Sequence, residues 1–345
     1  MTHTVTLQPS GRSFAVDPGD TVLQAAIDQC IGLPYGCKDG ACGSCKSRLL
    51  EGRVVHSAHQ AKALSAAEEA AGWVLTCCAR PQTDLVIEAR MVAGAGEFPP
   101  RKMPSRVISI ERPAPDVAIL KLQLPANELF RYRAGQYVEF ILHDGSRRSY
   151  SMANAPHMQT VAPGIELHIR HLPGGKFTDH LFGAMQVKEI MRIEGPFGSF
   201  FLREDSAKPI VLLASGTGLA PIKAIVEQLE FSASARAAVL YWGCRSRADL
   251  YLHDWAEQAA ERLPQLRYIP VLSEARPEDH WTGRTGLVHQ AVMADLPDLS
   301  GHQVYACGAP IMVESAQRDF VALCGLPADE FYADAFTTEA DKHVG

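Results

Sequence analysis

The sequence lacks a hydrophobic run long enough to cross a membrane. No segment reaches about eighteen uncharged apolar residues, although 47% of the 345 residues are hydrophobic. It also lacks a basic block, a charged tail and a low-complexity segment, and its formal net charge is −6. These absences argue against a membrane span and against a nucleic-acid-binding surface.

We expect no secretory signal either. The first residues have neither a basic start nor an apolar core, so we expect a cytoplasmic protein whose thiols stay reduced. The nine cysteines are an odd number, which argues further against a framework of disulfides. The length suits two or three domains.

The cysteines themselves are the most informative feature that is present. Cys37 is followed by Cys42 after four residues and by Cys45 after two more, with a distant pair at Cys77 and Cys78. This is the ligand spacing of plant-type [2Fe-2S] clusters. A structural zinc site is the weaker alternative, because zinc usually takes two short Cys-x-x-Cys pairs. Spacing alone does not distinguish Cys77 from Cys78 as the fourth ligand.

The order of predicted elements divides the chain into three domains and a tether. Alternating apolar residues and a short amphipathic helix, with Cys30 on its buried face, predict a small α+β domain over residues 1–92. Glycines and prolines predict a linker without regular structure over 93–103. Short strands predict an antiparallel β-barrel over 104–205. Near-continuous apolar runs between helical stretches predict an α/β domain with a parallel sheet over 206–345.

Two segments of the barrel have residue types that a flavin dinucleotide needs. Arg148, Tyr150 and Ser151 supply a guanidinium, an aromatic face and a hydroxyl. A second segment puts glycines at the start of a short helix, where free N–H groups and the helix dipole favour a phosphate. Its candidate binding residues are Gly174, Gly175, Lys176 and Thr178.

A third glycine-rich segment directly follows the first apolar run of the α/β domain. Gly216, Thr217 and Gly218 form a strand-to-helix turn, and Pro221 opens the helix. Such a turn lets a pyrophosphate approach the backbone at the positive end of the helix. An ordinary tight turn is the alternative, because the segment lacks the full Gly-x-Gly-x-x-Gly pattern.

Taken in order, these motifs resemble the ferredoxin-NADP reductase superfamily, in the branch with a fused amino-terminal plant-type ferredoxin. The resemblance covers essentially the whole chain. It implies a [2Fe-2S] cluster, FAD and a nicotinamide dinucleotide as cofactors, and it places the last cluster ligand at Cys77, after Leu75 and Thr76.

The resemblance also implies roles for the flavin residues. Tyr150 is expected against the isoalloxazine ring and Ser151 near its reactive nitrogen. Arg148, Gly175 and Thr178 are expected on the pyrophosphate.

Near the end of the chain, the resemblance assigns the other side of the hydride-transfer site. Cys307 and Gly308 are similar to the Cys-Gly segment beside the nicotinamide, and Phe336 to the aromatic residue that covers the second face of the flavin. Tyr150, Ser151 and Cys307 are therefore the expected catalytic residues.

Nicotinamide preference is expected to depend on the loop after the second parallel strand. Its arginines, Arg245 and Arg247, offer partners for the 2′-phosphate of NADPH. Related reductases that prefer NADH also carry an arginine there, and we favour NADH.

The expected activity is electron transfer from NAD(P)H through FAD and the cluster to a protein acceptor. Similar reductases serve either a dehydratase of deoxysugar biosynthesis or an oxygenase component. A standalone flavin or dye reductase, and a cluster-bearing redox sensor without rapid turnover, are the alternatives.

Overall fold

The computed structural model describes residues 1–126, 130–160 and 164–337. The chain divides into two compact units, the first built mainly from residues 1–99 and the second from 100–197 and 201–336. In the described part of the chain, no helix is both long and apolar enough to span a bilayer.

The first unit is an α+β fold around a five-stranded sheet. The sheet has the order β2-β1-β7-β3-β5, with β1 parallel to β7 and antiparallel to β2. A separate pair, β4 and β6, lies antiparallel. The elements are β1 His3–Gln8, β2 Ser13–Val16, α1 Val22–Asp28, β3 Lys46–Glu51, β4 Val54–His56, α2 Ala66–Ala70, β5 Trp73–Leu75, β6 Ala79–Pro81 and β7 Leu85–Glu88.

Helix α1 begins where its sequence predicts, but its end corrects one prediction. Thr21 caps it by accepting a hydrogen bond from the Gln24 amide at 3.1 Å. The helix stops at Asp28, and Cys30 lies beyond it in the left-handed region with φ of 56°. Cys30 is exposed. The expectation that it is buried on the helix face was wrong, because the helix ends two residues before Cys30.

The second unit starts with the predicted antiparallel barrel. Its six strands have the order β11-β10-β13-β8-β9-β12, and a bridge between Met152 and Leu167 brings the two edges together. The apolar faces of these strands and the helix that follows β12 enclose one core. The elements are β8 Arg101–Ala114, β9 Val117–Gln123, β10 Tyr137–Ile141, β11 Arg147–Ser151, β12 Ile165–Arg170, α3 Lys176–Gly183 and β13 Ile190–Phe197.

Strand β8 begins inside the segment for which no regular structure was expected. Residues 101–106 pair with β13, whereas β9 pairs only from residue 106 onward. Pro104 therefore lies where one side of the strand has no partner and its missing N–H is tolerated.

The second unit continues with a parallel sheet of order β17-β16-β15-β14-β18-β19. A buried core lies between this sheet and helices α6 and α7. The carboxyl ends of β14, β15 and β18 meet at one edge, where ligands bind in open α/β sheets. The elements are β14 Ile210–Ser215, α4 Leu219–Phe231, β15 Ala238–Cys244, α5 His253–Arg262, β16 Leu266–Leu272, β17 Arg284–Thr285, α6 Val288–Asp295, β18 Gln303–Gly308, α7 Pro310–Leu323 and β19 Phe331–Ala335.

Candidate functional site

The loop between α1 and β3 wraps around the sulfurs of two predicted ligands. The amide of Cys37 donates to Sγ of Cys42, and the amide of Cys42 donates to Sγ of Cys37, both at 3.4 Å. Gly40 and Gly43 have φ of 77° and 78°, which only glycine adopts readily and which lets the loop turn this tightly. The loop amides thus face sulfur, as hydrogen bonds to an electron-rich cluster require.

The second pair of sulfurs is buried. Sγ of Cys45 lies 3.2 Å from Sγ of Cys77, and all nine cysteines are free of disulfides. A two-iron cluster takes four cysteines, two on each iron, and the two pairs match this need. Among the described residues, no three His, Cys, Asp or Glu side chains converge on one metal position. The donor set therefore fits a two-iron cluster better than a single zinc ion.

On the barrel, β11 presents Tyr150 beside the start of α3. The Tyr150 ring packs against Phe177 with centroids 5.1 Å apart and edge-on against Phe140 at 5.9 Å. Burial raises the pKa of Tyr150 above its ordinary value of 10.0, so its phenol stays neutral. Arg148, two residues earlier on the strand, donates from Nη1 to its neighbour's carbonyl at 2.7 Å and is half-buried.

The glycine turn before α3 leaves room for a close approach to the backbone. Gly174 has φ of 84°, and Gly175 caps the helix without a side chain. A Cβ atom on Gly175 would lie 2.6 Å from Oγ1 of Thr178, so no larger residue fits. The Thr178 hydroxyl donates to the Leu172 carbonyl at 2.8 Å and shapes the turn from within. Lys176 is exposed and pairs with Asp144.

Three polar side chains meet where β11, β18 and β19 end. Ser151 donates its hydroxyl proton to Oδ2 of Asp334 at 3.0 Å, and Sγ of Cys307 lies 3.7 Å from the same oxygen. Burial, followed by the charge of Asp334, raises the pKa of the Cys307 thiol well above 9.0. The Cys307 thiol therefore keeps its proton at neutral pH. The sequence analysis missed Asp334, which is adjacent in space but far along the chain.

The Gly216–Gly218 turn packs directly against the end of β18. A Cβ atom on Gly218 would lie 2.2 Å from the Cys307 carbonyl oxygen, and one on Gly308 would lie 2.3 Å from Oγ of Ser215. That Ser215 oxygen accepts the Ala309 amide at 2.9 Å. Thr217 is buried, and the buried Pro221 lies in the first turn of α4.

A second residue that the sequence analysis missed is Arg170, the last residue of β12. Its guanidinium lies over the glycine turn, since a Cβ atom on Gly216 would be 3.1 Å from Nη1. Nε of Arg170 is 3.2 Å from a carboxylate oxygen of Asp116. A positive charge fixed at an open glycine backbone suits a phosphate. No local sequence motif predicts a role for Arg170, because it is far from the Gly216–Gly218 turn in the sequence and lies beside it only in the folded chain.

At the end of β15, five polar residues surround a cavity of about 200 Å³. Asp249 accepts from the amide and hydroxyl of Ser246 at 3.0 and 3.1 Å, and it lies 3.7 Å from Nε of Arg245. The full lining is Arg245, Ser246, Asp249, Glu274 and Arg276. Arg247, the other predicted residue, instead points Nη1 to the Asp279 carbonyl at 3.4 Å.

Phe336 directly follows β19 and is tied to the same edge of the sheet. Its amide donates to the Gly308 carbonyl at 2.8 Å, and the residue is half-buried. The structure thus brings together three separate segments of the sequence, which carry Phe336, the pair Cys307 and Gly308, and Ser151.

A buried ionic network connects the flavin strand with helix α4. Nζ of Lys223 lies 2.6 Å from Oε1 of Glu227 and 3.1 Å from Oε1 of Glu166. It also donates to the carbonyl of Ala153, two residues after Ser151, at 3.1 Å. Burial would raise the pKa of Glu166, but hydrogen bonding to His168 and the charge of Lys223 lower it to about 2. Glu166 is therefore ionised at neutral pH.

Three domain-family models match the chain in succession. The 2Fe-2S iron-sulfur cluster binding domain matches residues 5–82, the oxidoreductase FAD-binding domain residues 104–202, and the oxidoreductase NAD-binding domain residues 212–318. The cysteine pairs, the Tyr150 strand and the Gly216 turn lie within these three spans, respectively.

A reductase and a reductase component are among the relatives that the chain matches over nearly their full length. The chain is 41% identical over 336 residues to the CDP-6-deoxy-L-threo-D-glycero-4-hexulose-3-dehydrase reductase of Yersinia pseudotuberculosis, covering 97% of this chain and 99% of the relative. It is 36% identical to reductase component 2 of terephthalate 1,2-dioxygenase from Comamonas, covering 99% and 100%. A crystal structure of an Amycolatopsis cytochrome P450 reductase aligns with a TM-score of 0.80 and 34% identity, covering 98% and 99%.

Proposed function

We propose residue roles, a nicotinamide preference and an acceptor class for this chain. The chain belongs to the ferredoxin-NADP reductase superfamily, in the branch that joins a [2Fe-2S] ferredoxin domain to FAD-binding and NAD-binding domains. It is an NAD(P)H-dependent oxidoreductase that passes electrons through FAD and the cluster to a partner. Bound FAD would supply the conversion between the two-electron chemistry of a nicotinamide and the one-electron chemistry of an iron-sulfur cluster.

Cys37, Cys42, Cys45 and Cys77 are the proposed cluster ligands. Their support is the pairing of the sulfurs, two in the loop and two buried, together with the loop amides that face Cys37 and Cys42. Such N–H groups stabilise added negative charge and raise the reduction potential.

For the flavin, Tyr150 provides the aromatic face, and Phe140 and Phe177 hold its ring in place. Arg148 and the backbone at Gly174 and Gly175 bind the pyrophosphate. Lys176 contributes positive charge after leaving Asp144. Thr178, whose hydroxyl donates to the Leu172 carbonyl and shapes the turn, is proposed beside the same pyrophosphate. Phe336 covers the opposite face of the ring.

The nicotinamide dinucleotide is proposed to lie along the carboxyl edge of the parallel sheet. Gly216, Thr217, Gly218 and Pro221 form the close backbone approach, and Arg170 supplies the charge for the pyrophosphate. Cys307 and Gly308 pack beside the nicotinamide. Asp334 is a positioning residue, because it fixes the hydroxyl of Ser151 and the thiol of Cys307 on one carboxylate oxygen.

NADH is the proposed reductant. The cavity at the end of β15 has two carboxylates, Asp249 and Glu274, beside the guanidiniums of Arg245 and Arg276. Carboxylates accept hydrogen bonds from a ribose 2′-hydroxyl but repel a 2′-phosphate. Arg247 is not among the residues that line this cavity, and it is proposed as a second cofactor contact from the same loop.

The electron acceptor is proposed to be a separate protein, of the dehydrase class or, alternatively, an oxygenase component. The observation that carries this proposal is that the chain aligns over nearly the full length of a dehydrase reductase, at 41% identity, and of a dioxygenase reductase component, at 36% identity. Residues 1–92 contain nine acidic and eight basic residues, so the cluster domain shows no strong charge bias that favours one partner.

The test compares two kinds of acceptor in wild type and in a Cys42→Ser variant. Ferricyanide, which takes electrons from the flavin, should be reduced by NADH at similar rates in both proteins. Reduction of a purified dehydrase or oxygenase component should collapse in the variant. Equal protein-acceptor rates in both would refute a route through the cluster, and a standalone flavin reductase would then be the better description.

A further inference from the structure

A fifth thiol lies against the proposed cluster ligands. Cys78 is only 2% exposed, and its Sγ atom lies 3.6 Å from Sγ of Cys77. The cluster loop packs on the same sulfur, because a Cβ atom on Gly40 would lie 2.7 Å from it. The side chain of Cys78 is therefore beneath the loop that carries Cys42 and not in a separate core.

The local backbone explains how two adjacent residues reach one pocket. Side chains of neighbouring residues point to opposite faces of an extended strand. Here the Cys78 amide donates to the Leu75 carbonyl at 2.9 Å and closes a turn directly after β5. The Ser57 amide donates to the Cys78 carbonyl at 3.0 Å and holds the turn in place. Within that turn the usual alternation is lost.

The sulfur separations are those of ligands on one metal. Bonds of about 2.3 Å in a tetrahedron place neighbouring sulfurs about 3.8 Å apart. Cys77 lies 3.6 Å from Cys78 and 3.2 Å from Cys45, sulfur to sulfur. A [2Fe-2S] cluster takes four cysteines, two on each iron. With Cys45 as one ligand of this iron, Cys77 and Cys78 are alternatives for the other coordination position.

We propose that Cys78 is a reserve ligand, which takes the coordination position of Cys77 and retains the [2Fe-2S] cluster when the Cys77 thiolate is lost. The exchange breaks one iron–sulfur bond and forms another. The Cys78 thiol releases its proton to water, the freed Cys77 sulfur takes one up, and no electron is transferred. The inference depends on the ligand set proposed above.

The test uses the full chain, reconstituted without air with ferrous iron and sulfide. Iron and acid-labile sulfide are measured per chain, with the electron paramagnetic resonance spectrum of the reduced protein. Cys77→Ala should keep most of the wild-type iron and show a shifted spectrum, and Cys78→Ala should match wild type. The double alanine variant should lose the cluster. Cys42→Ala is the matched control and should lose it too, because the sulfur of Cys42 contacts Cys37 and Ser44.

Loss of iron in Cys77→Ala as complete as in the double variant would overturn the proposal. Loss in Cys78→Ala with retention in Cys77→Ala would instead overturn the ligand set. Cys77→Ser separates ligand exchange from misfolding, since serine is nearly the size of cysteine. Its cluster should have an all-sulfur spectrum that disappears when Cys78→Ala is added. Identical spectra with and without that second change would refute the reserve role.

Discussion

The carboxylate of Asp334 offers the sharpest test of the proposed hydride-transfer site. It accepts the Ser151 hydroxyl at 3.0 Å and has the Cys307 thiol 3.7 Å from the same oxygen. Removing it by Asp334→Ala leaves both groups without their shared acceptor. A hydrogen bond to a charged group contributes about 1.5–3 kcal/mol, which corresponds to about 10- to 150-fold in rate if the bond aligns the reacting groups.

The conservative variant should cost less. Asp334→Asn keeps an oxygen acceptor but loses the charge, and neutral hydrogen bonds are about half as strong as charged ones. We therefore expect Asp334→Asn to slow flavin reduction by about 5- to 10-fold. Anaerobic stopped-flow mixing with NADH measures this step directly, and deuterated NADH shows whether hydride transfer limits it.

Two comparisons decide whether the reasoning is right. The matched control is Asp298→Asn, because the wild-type Asp298 carboxylate also accepts a hydrogen bond, from the Ser300 amide at 2.9 Å. The flavin of this variant should be reduced at the wild-type rate. Ser151→Ala combined with Asp334→Ala should cost less than the sum of the single changes, because both break one interaction. Wild-type reduction in both Asp334 variants, or strict additivity, would refute the positioning role.

Three further outcomes are expected. Glu274→Arg should raise kcat/KM for NADPH relative to NADH by about 10-fold or more, since a charge that repels the 2′-phosphate becomes one that attracts it. Steady-state kinetics with both nucleotides measure this ratio. An unchanged ratio would exclude the cavity at the end of β15 as the ribose site. Burial lowers the pKa of His168 from 6.5. Below pH 6.5 the imidazole is therefore protonated in the unfolded chain but stays neutral in the folded one, and the free energy of unfolding should fall as the pH drops. This fall, followed by urea titration, should be shallower in His168→Gln, and equal slopes would contradict it. Iodoacetamide at pH 8 should label the exposed Cys30 and leave the fully buried Cys307 unmodified in peptide mass maps; equal labelling would show that Cys307 is accessible.

Periodic patterns in the sequence predicted much of the fold. Apolar runs after residue 209 predicted the parallel strands β14, β15, β16 and β18, because strands covered on both faces tolerate no alternation. Strand β13 was missed, since Gly195 and Pro196 interrupt its apolar pattern. Cys30 was misplaced because the helical spacing continues past the residue at which the backbone turns.

The candidate site likewise contains residues that belong to local sequence motifs and residues that do not. Cysteine and glycine motifs are local, and the sequence analysis found them. Arg170 and Asp334 act through neighbours far along the chain, and no spacing rule connects Asp334 with Ser151, 183 positions earlier. The loss of face alternation at Cys77 and Cys78 follows from a turn that depends on a carbonyl two residues before Cys77, which composition does not reveal.

Chimeric reductases built from this chain face a constraint set by Lys223. Grafting a foreign nucleotide-binding half that has an apolar residue at that position would remove the ammonium group 3.1 Å from Glu166 and leave Lys121, at 3.9 Å, as its remaining counter-ion. Breaking a fully buried pair costs about 3–5 kcal/mol, which is the upper bound for this defect. Lys223, Glu227 and Glu166 should therefore be transplanted together, or replaced together by apolar residues of similar volume.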